Sequence, residues 1–439
     1  MTETDCRGAQ GDADFASAPP TARFLGGTVI AAILAIIASF LPGVPAAQAQ
    51  TPGSTRLELV RTDFDLHVFL HKWSDNNGAS WSDWTNLGAP PGIALTDIPA
   101  VISDGYEHIY VIAGSYNPSD PLFPNAGIWY NTAYNHGSSW NGWTMIPGQD
   151  PVSKNICTAY YGCTWVPQYS PAVVSWGAGR VDLFVVADGP GGLSLLHTWA
   201  DNDYWSGTWE VLNTCFCAAD PPGVVSWGPG RIDVFWKENA LIFEGVPESV
   251  KHMWFDNGQW HPTLGGQPED LGGPPPAADP VFALFPISSP PVAASPWPYR
   301  LTVFTRGRDQ HLYGNQFNFG WSGWLDLGCC LATDVFFDSN GELQGDVLNS
   351  VAATSLANNS LDAFVIGTDH ALYRKGYTSS AGWTLWQLVD ASIHYDNIAV
   401  AGWVPIAAPP PAPPPPSPPP PPPTRQCGRA GQPPCIVDP

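Results

Sequence analysis

The chain has 439 residues, of which 48 are Pro, 44 Gly and 21 Trp, against 3 Met and 17 Lys plus Arg. Turn formers and aromatics in such numbers predict an all-β fold of many short strands. A formal net charge of −22 argues against nucleic acid and anionic membrane as partners.

Residues 1–49 read as an export segment. Residues 24–41 (FLGGTVIAAILAIIASFL) are non-polar or small throughout, follow Arg23, and lead to Ala47-Gln48-Ala49, the small-x-small form of a signal-peptidase site. The residues before them carry Glu3, Asp5, Asp12 and Asp14, an acidic flank unusual for a signal peptide, and the apolar run is long enough to act as an uncleaved anchor. The expectation is a secreted or surface-tethered protein whose mature chain begins near Gln50.

Two stretches then nearly repeat each other. Residues 175–185 read SWGAGRVDLFV and residues 226–236 read SWGPGRIDVFW. Looser copies keep the same offset from Ser to the Arg position: Ser295 to Arg300, Ser355 to Ser360 and Ser103 to His108. Third strands follow, marked by His71-Lys-Trp73, His197-Thr-Trp199 and His252-Met-Trp254 or weaker relatives. Trp-rich fourth strands come next, from SWSDWTNLG at 80–88 to AGWTLWQLV at 381–389. Residues 56–60 supply a second strand with no first, and residues 399–403 a first strand with no second. Joined, the two ends make one blade. The predicted fold is therefore a six-bladed β-propeller over 50–404, closed by its terminal strands. Proline-rich insertions at 150–168 and 265–290 leave seven blades as the alternative.

Beyond the propeller, 405–439 is a proline-rich tail with a polyproline II spacer and a small Cys-bounded end. Cys157 with Cys163, and Cys427 with Cys435, have loop-closing separations and are the disulfide candidates. Cys215 with Cys217, and Cys329 with Cys330, would bridge only under strain. No His cluster accompanies them, so a metal site is not favoured.

Sugars present apolar C–H faces and rings of hydroxyls, so a site for them needs an aromatic platform rimmed by Arg, Asp, Glu or Asn. The strand-end turns offer Trp176 with Arg180, Trp227 with Arg231, Trp297 with Arg300, and Trp403 with Arg56 across the closure. These eight residues are the candidate carbohydrate-binding set. The second and sixth units lack the pair, having Asp104 and His108 or Leu356 and Ser360 instead. An Arg at a strand start also serves to pair a neighbouring blade's carboxylate, for which Asp182 and Asp233 are placed. Trp84, Trp143, Trp209, Trp324 and Trp386 are expected to pack between blades.

Enzymatic readings find little support. Ser74-Asp-Asn-Asn-Gly78-Ala-Ser-Trp81 has the form of a sialidase-type Asp-box, but such turns brace a hairpin rather than perform chemistry. No H-E-x-x-H, G-x-S-x-G or phosphate-cradling glycine motif is present. Asp201-Asn202-Asp203 is an acidic turn of a kind that can hold Ca²⁺ but is more often solvated.

The combination SWGxGRxDxFV, LxHxW and WxxWxxLG resembles the repeat of the PLL-like bacterial β-propeller lectins, and more distantly the six-bladed fucose-binding lectins of fungi. The resemblance spans 56–403. It implies a non-enzymatic lectin without cofactor, binding fucosylated or O-methylated sugars between adjacent blades. The competing readings are a protein-binding or structural extracellular propeller and, behind it, a sialidase-like glycoside hydrolase.

Overall fold

The computed structural model describes residues 56–403 apart from 91–98, 116–126, 151–154, 215–219, 277–282, 329–335, 338–342, 345–350, 367–370, 392–397 and several shorter stretches. The export segment, the proline-rich tail and Cys215, Cys217, Cys329, Cys330, Cys427 and Cys435 lie outside the described residues, as does the side chain of Trp403.

Each repeat forms one antiparallel sheet whose strands run in chain order from first to fourth, because residues alternating between apolar and polar must put one set on each face. Blade 1 joins Ile398–Trp403 to Arg56–Asp63, Val68–Ser74 and Thr85–Asn86. Blade 2 runs from Ala100–Ser103 through Ile109–Ser115 and Gly127–Tyr134 to Ser139–Trp140 and Thr144–Met145. Blade 3 is built on Ala172–Gly177, Arg180–Gly189, Gly192–Asp201 and Glu210–Thr214, and blade 4 on Gly223–Val225, Ile232–Glu238, Ser249–Asp256 and Gln259–His261. Blade 5 uses Val292–Trp297, Arg300–Arg306, Leu312–Asn318 and Trp321–Asp326, and blade 6 uses Ala352–Leu356, Ser360–Ile366, Leu372–Thr378 and Gln387–Asp390.

Closure takes the expected register. Arg56 lies opposite Trp403 and Val60 opposite Ala399, so the last strand of the chain completes the first blade and covers the inner edge of Arg56–Asp63. The insertion at 150–168 makes no blade of its own. Its strands Ile156–Thr158 and Gly162–Pro167 form a hairpin that adds to blade 3, held by the Cys157–Cys163 disulfide.

The core is six apolar seams, one per joint between neighbouring blades. Phe69 and Leu87 of blade 1 meet Val101 and Val111 of blade 2, and the series continues round to Phe364 and Leu372 of blade 6 against Leu57 and Leu59 of blade 1. Trp84, Trp143, Trp209, Trp324 and Trp386 all pack into these seams. Indole N–H groups cross the joints as well: Trp143 donates to the Leu87 carbonyl at 3.1 Å, Trp209 to Pro147 at 3.3 Å and Trp324 to Leu271 at 3.0 Å. The first strands line an axial channel of about 120 Å³ with no charged side chain among the described residues of its wall.

Candidate functional site

In a strand, residues i and i+2 share a face, so Arg-x-Asp at the start of a second strand brings guanidinium and carboxylate together. Arg180 donates from Nε to Asp182 Oδ2 at 2.8 Å and from Nη2 to Asp182 Oδ1 at 2.7 Å. Arg231 does the same to Asp233 at 2.8 and 2.6 Å, and Arg56 pairs with Glu58. The sequence suggested Asp182 and Asp233 as partners for a neighbouring blade's Arg. The structure corrects this: they serve the Arg of their own strand, through a two-pronged geometry that only shared facing allows.

A second acid closes on each Arg from the end of the third strand. Arg180 Nη1 lies 3.1 Å from Asp201, Arg56 Nη1 lies 2.6 Å from Asp75, and Arg231 Nη1 lies 3.9 Å from Asp256. These outer carboxylates remain 60%, 62% and 45% exposed. Indole rings cover the guanidinium faces. Arg180 sits 4.8 Å from the Trp176 ring centroid and 5.3 Å from Trp199, and Arg231 sits 4.2 Å from Trp227 and 5.4 Å from Trp254. Arg56 lies 5.2 Å from Trp73. The outer acids and the third-strand indoles were absent from the candidate set, although His-x-Trp-x-Asp occurs at 71–75, 197–201 and 252–256 and signals them.

Beneath each Arg lies a buried His. His197 Nε2 is 2.9 Å from Asp182 and its Nδ1 is 3.1 Å from Glu210, while His252 bridges Asp233 at 2.9 Å and Glu269 at 2.8 Å. With a carboxylate at both nitrogens, each ring donates twice and is an imidazolium. Burial alone would depress the His197 and His252 pKa values, but the hydrogen bonds to their paired acids outweigh it and raise both. Burial would push Asp182 up, yet Arg180 and His197 hold it below the ordinary range. His197 likewise lowers Glu210, and His252 lowers Glu269. The next blade's indole packs edge-on against each imidazole: Trp260 at 5.5 Å from His197, Trp321 at 5.4 Å from His252 and Trp140 at 5.3 Å from His71.

These shifts fix a pH profile. A raised His pKa contributes stability that is complete below the free value of about 6.5 and is lost as pH rises through the folded value. The lowered carboxylates contribute stability present above about pH 4 and lost as pH falls through their depressed values. Thermal midpoints are therefore expected to be highest in weakly acidic buffer and to decline on either side. NMR should find His197 and His252 still protonated above pH 6.5, and neutral rings at that pH would contradict the doubly donating arrangement.

The remaining blades depart from the pattern. In blade 5, Arg300 lies 5.0 Å from Trp297, but Thr302 and Asn318 stand where acids stand elsewhere, and no carboxylate among the described residues pairs with it. In blade 6, Ser360 takes the Arg position, and a different residue supplies the cation. Arg374, in the third-strand place that His197 holds in blade 3, donates to Asp362 at 2.6 Å and reaches across the closure to the Asn77 carbonyl at 2.6 Å. The Asp-box turn it touches is internally satisfied: Gly78 N donates to Ser74 Oγ at 2.8 Å and Ser80 N to Asn76 Oδ1 at 2.9 Å. Blade 2 replaces the Arg with His108, 3.2 Å from Asp104, and Asp203 of blade 3 accepts the Tyr110 and Tyr134 hydroxyls. Asp201 and Asp203 thus turn to different partners. Trp403 and Arg56 are backbone neighbours.

No family model matches the chain, and no curated protein matches it. Among solved structures it is similar to a fucose-specific lectin from Aleuria aurantia, with TM-score 0.48 and 14% identity over 79% of this chain and 95% of that one. It is also similar to AofleA from Arthrobotrys oligospora, with TM-score 0.43 and 12% identity over 78% and 84%. A third similar structure is the Hadza microbial sialidase Hz136, with TM-score 0.45 and 9% identity over 76% and 69%. None of these likenesses assigns a ligand to this chain.

Proposed function

We propose that this protein is a secreted, non-enzymatic lectin whose sugar sites recur at the blade joints, with fucosylated or O-methylated glycans as its ligand class. The observation that carries the reading is the guanidinium gripped by two acids and faced by indole, repeated at the same rim position in blades 1, 3 and 4. A half-exposed carboxylate accepts sugar hydroxyls, guanidinium N–H groups of Arg180 and Arg231 turned away from their acids donate to them, and the part of the indole face left uncovered takes a sugar C–H face. Arg56 is only 3% exposed, so at the first blade Asp75 is the polar contact. Because the Arg is already fixed by its fork, little side-chain freedom is lost on binding. Recurrence round one propeller lets weak single sites act together on a multivalent surface.

The candidate sites are Trp176 with Arg180, Trp227 with Arg231, Trp403 with Arg56, and Trp297 with Arg300, the last lacking acids. Glycan-array screening of the full chain tests the reading. Asp201→Ala should then remove one site's share of stoichiometry while costing no more than about 1 kcal/mol, the range of an exposed ion pair. Unchanged stoichiometry would remove the blade 3 site. An array without any bound glycan would favour a protein-binding propeller.

A further inference from the structure

Blade 5 carries two aromatic residues where its neighbours carry none. The residue before the second-strand Arg is Gly179 in blade 3 and Gly230 in blade 4, at φ of 74° and 77°, and the same place in blade 5 is Tyr299 at 65°. The residue after the third-strand acid is Asn202 or Asn257, at 48° and 51°, and in blade 5 it is Phe319 at 58°. Gly and Asn tolerate this left-handed backbone, whereas bulky aromatics are strained in it. Both rings are also turned to solvent, Tyr299 being 59% exposed and Phe319 82%. Neither backbone preference nor core packing explains them, and strained exposed side chains point to a ligand.

The two rings stack on each other, with centroids 6.2 Å apart and planes 16° from parallel. Tyr299 continues to Trp227 at 5.9 Å, and Trp227 is the ring over Arg231. A row of aromatics therefore leads outward from the blade 4 guanidinium along the joint with blade 5. The equivalent joint between blades 3 and 4 has Gly230 and Asn257 in those places and ends at Trp176.

We propose that the joint between blades 4 and 5 is a two-ring site. Trp227, Arg231 and Asp256 take a terminal sugar, and Tyr299 with Phe319 form a ledge for the apolar face of the next sugar in the chain. The joints next to Arg56 and Arg180 take a single ring. This rests on the lectin reading and adds to it the size of the ligand at one joint.

Calorimetry compares methyl α-L-fucoside with a fucosylated lactose trisaccharide, using the full-length protein and the double variant Tyr299→Gly, Phe319→Asn. These substitutions install the residues of blades 3 and 4 and relieve the backbone, so the thermal midpoint should not fall. In the wild type, one site per chain should prefer the trisaccharide by about tenfold. The double variant should lose that preference and keep its stoichiometry for methyl α-L-fucoside. A variant that retains the preference, or a wild type that binds both probes alike at every site, overturns the ledge and leaves the lectin reading standing. No response to either probe by the wild type overturns the fucoside reading and the two-ring site with it.

Discussion

Asp233→Ala is expected to destabilise the protein by about 3 to 5 kcal/mol. Asp233 is buried and carries two cations at once, Arg231 through a two-pronged pair and His252 through a 2.9 Å hydrogen bond. Removing it leaves a guanidinium and an imidazolium facing each other in a seam sealed by Trp321, with no compensating charge between them. The partly exposed Asp256 touches the same Arg, yet Asp256→Ala should cost no more than about 1 kcal/mol, since water screens that pair. Urea unfolding of the two variants beside wild type measures the contrast. Equal, small losses would show that the buried pair is not what holds this joint.

Ending the chain after Val389 should have a comparable or larger effect. The cut removes Ile398–Trp403, which pairs with Arg56 to Arg61 along the inner edge of blade 1. It also removes Asp390, the acceptor for Lys72 at 2.9 Å and for the Trp84 indole at 3.1 Å. Ile398 is buried beside Val400 in the joint with blade 6, and Ala401 is buried on the opposite face in the joint with blade 2, so lost apolar burial alone is on the order of 5 kcal/mol. The freed edge of Arg56–Asp63 would then be open to pairing with another chain. The expected result is loss of the cooperative thermal transition together with aggregation. A wild-type midpoint in the truncated protein would mean that the propeller does not depend on its terminal strand.

Much of this architecture is readable from the chain because a blade is a local meander. Its alternation, its Gly turns and its Trp-rich fourth strand repeat within 51 residues in the two best copies, so periodicity points to six blades and leaves a seventh open only in the proline-rich insertions, the first of which the structure joins to blade 3. The closing register follows from the same pattern, since the half-repeats at 56–60 and 399–403 have only each other to complete them. The Cys157–Cys163 bridge and the Asp-box turn are also short-range, and both form as their spacing suggests. The turn arginines were visible too, but their partners were not. Sequence reading assigned Asp182 and Asp233 to the Arg of a neighbouring blade, and shared facing on the folded strand gives them to the Arg of their own strand instead. Arg374 was invisible for a related reason: it stands in a His position, and only the ring closure brings Asn77 to meet it. Tyr299 and Phe319 look like ordinary turn residues in the chain, and it takes the backbone angles and the meeting of blades 4 and 5 to make them an exposed stack. Periodicity determines which blades exist, because it is a property of neighbours along the chain. Tertiary structure decides which charges pair and which rings face solvent, because those depend on contacts across strands and joints that no local pattern encodes.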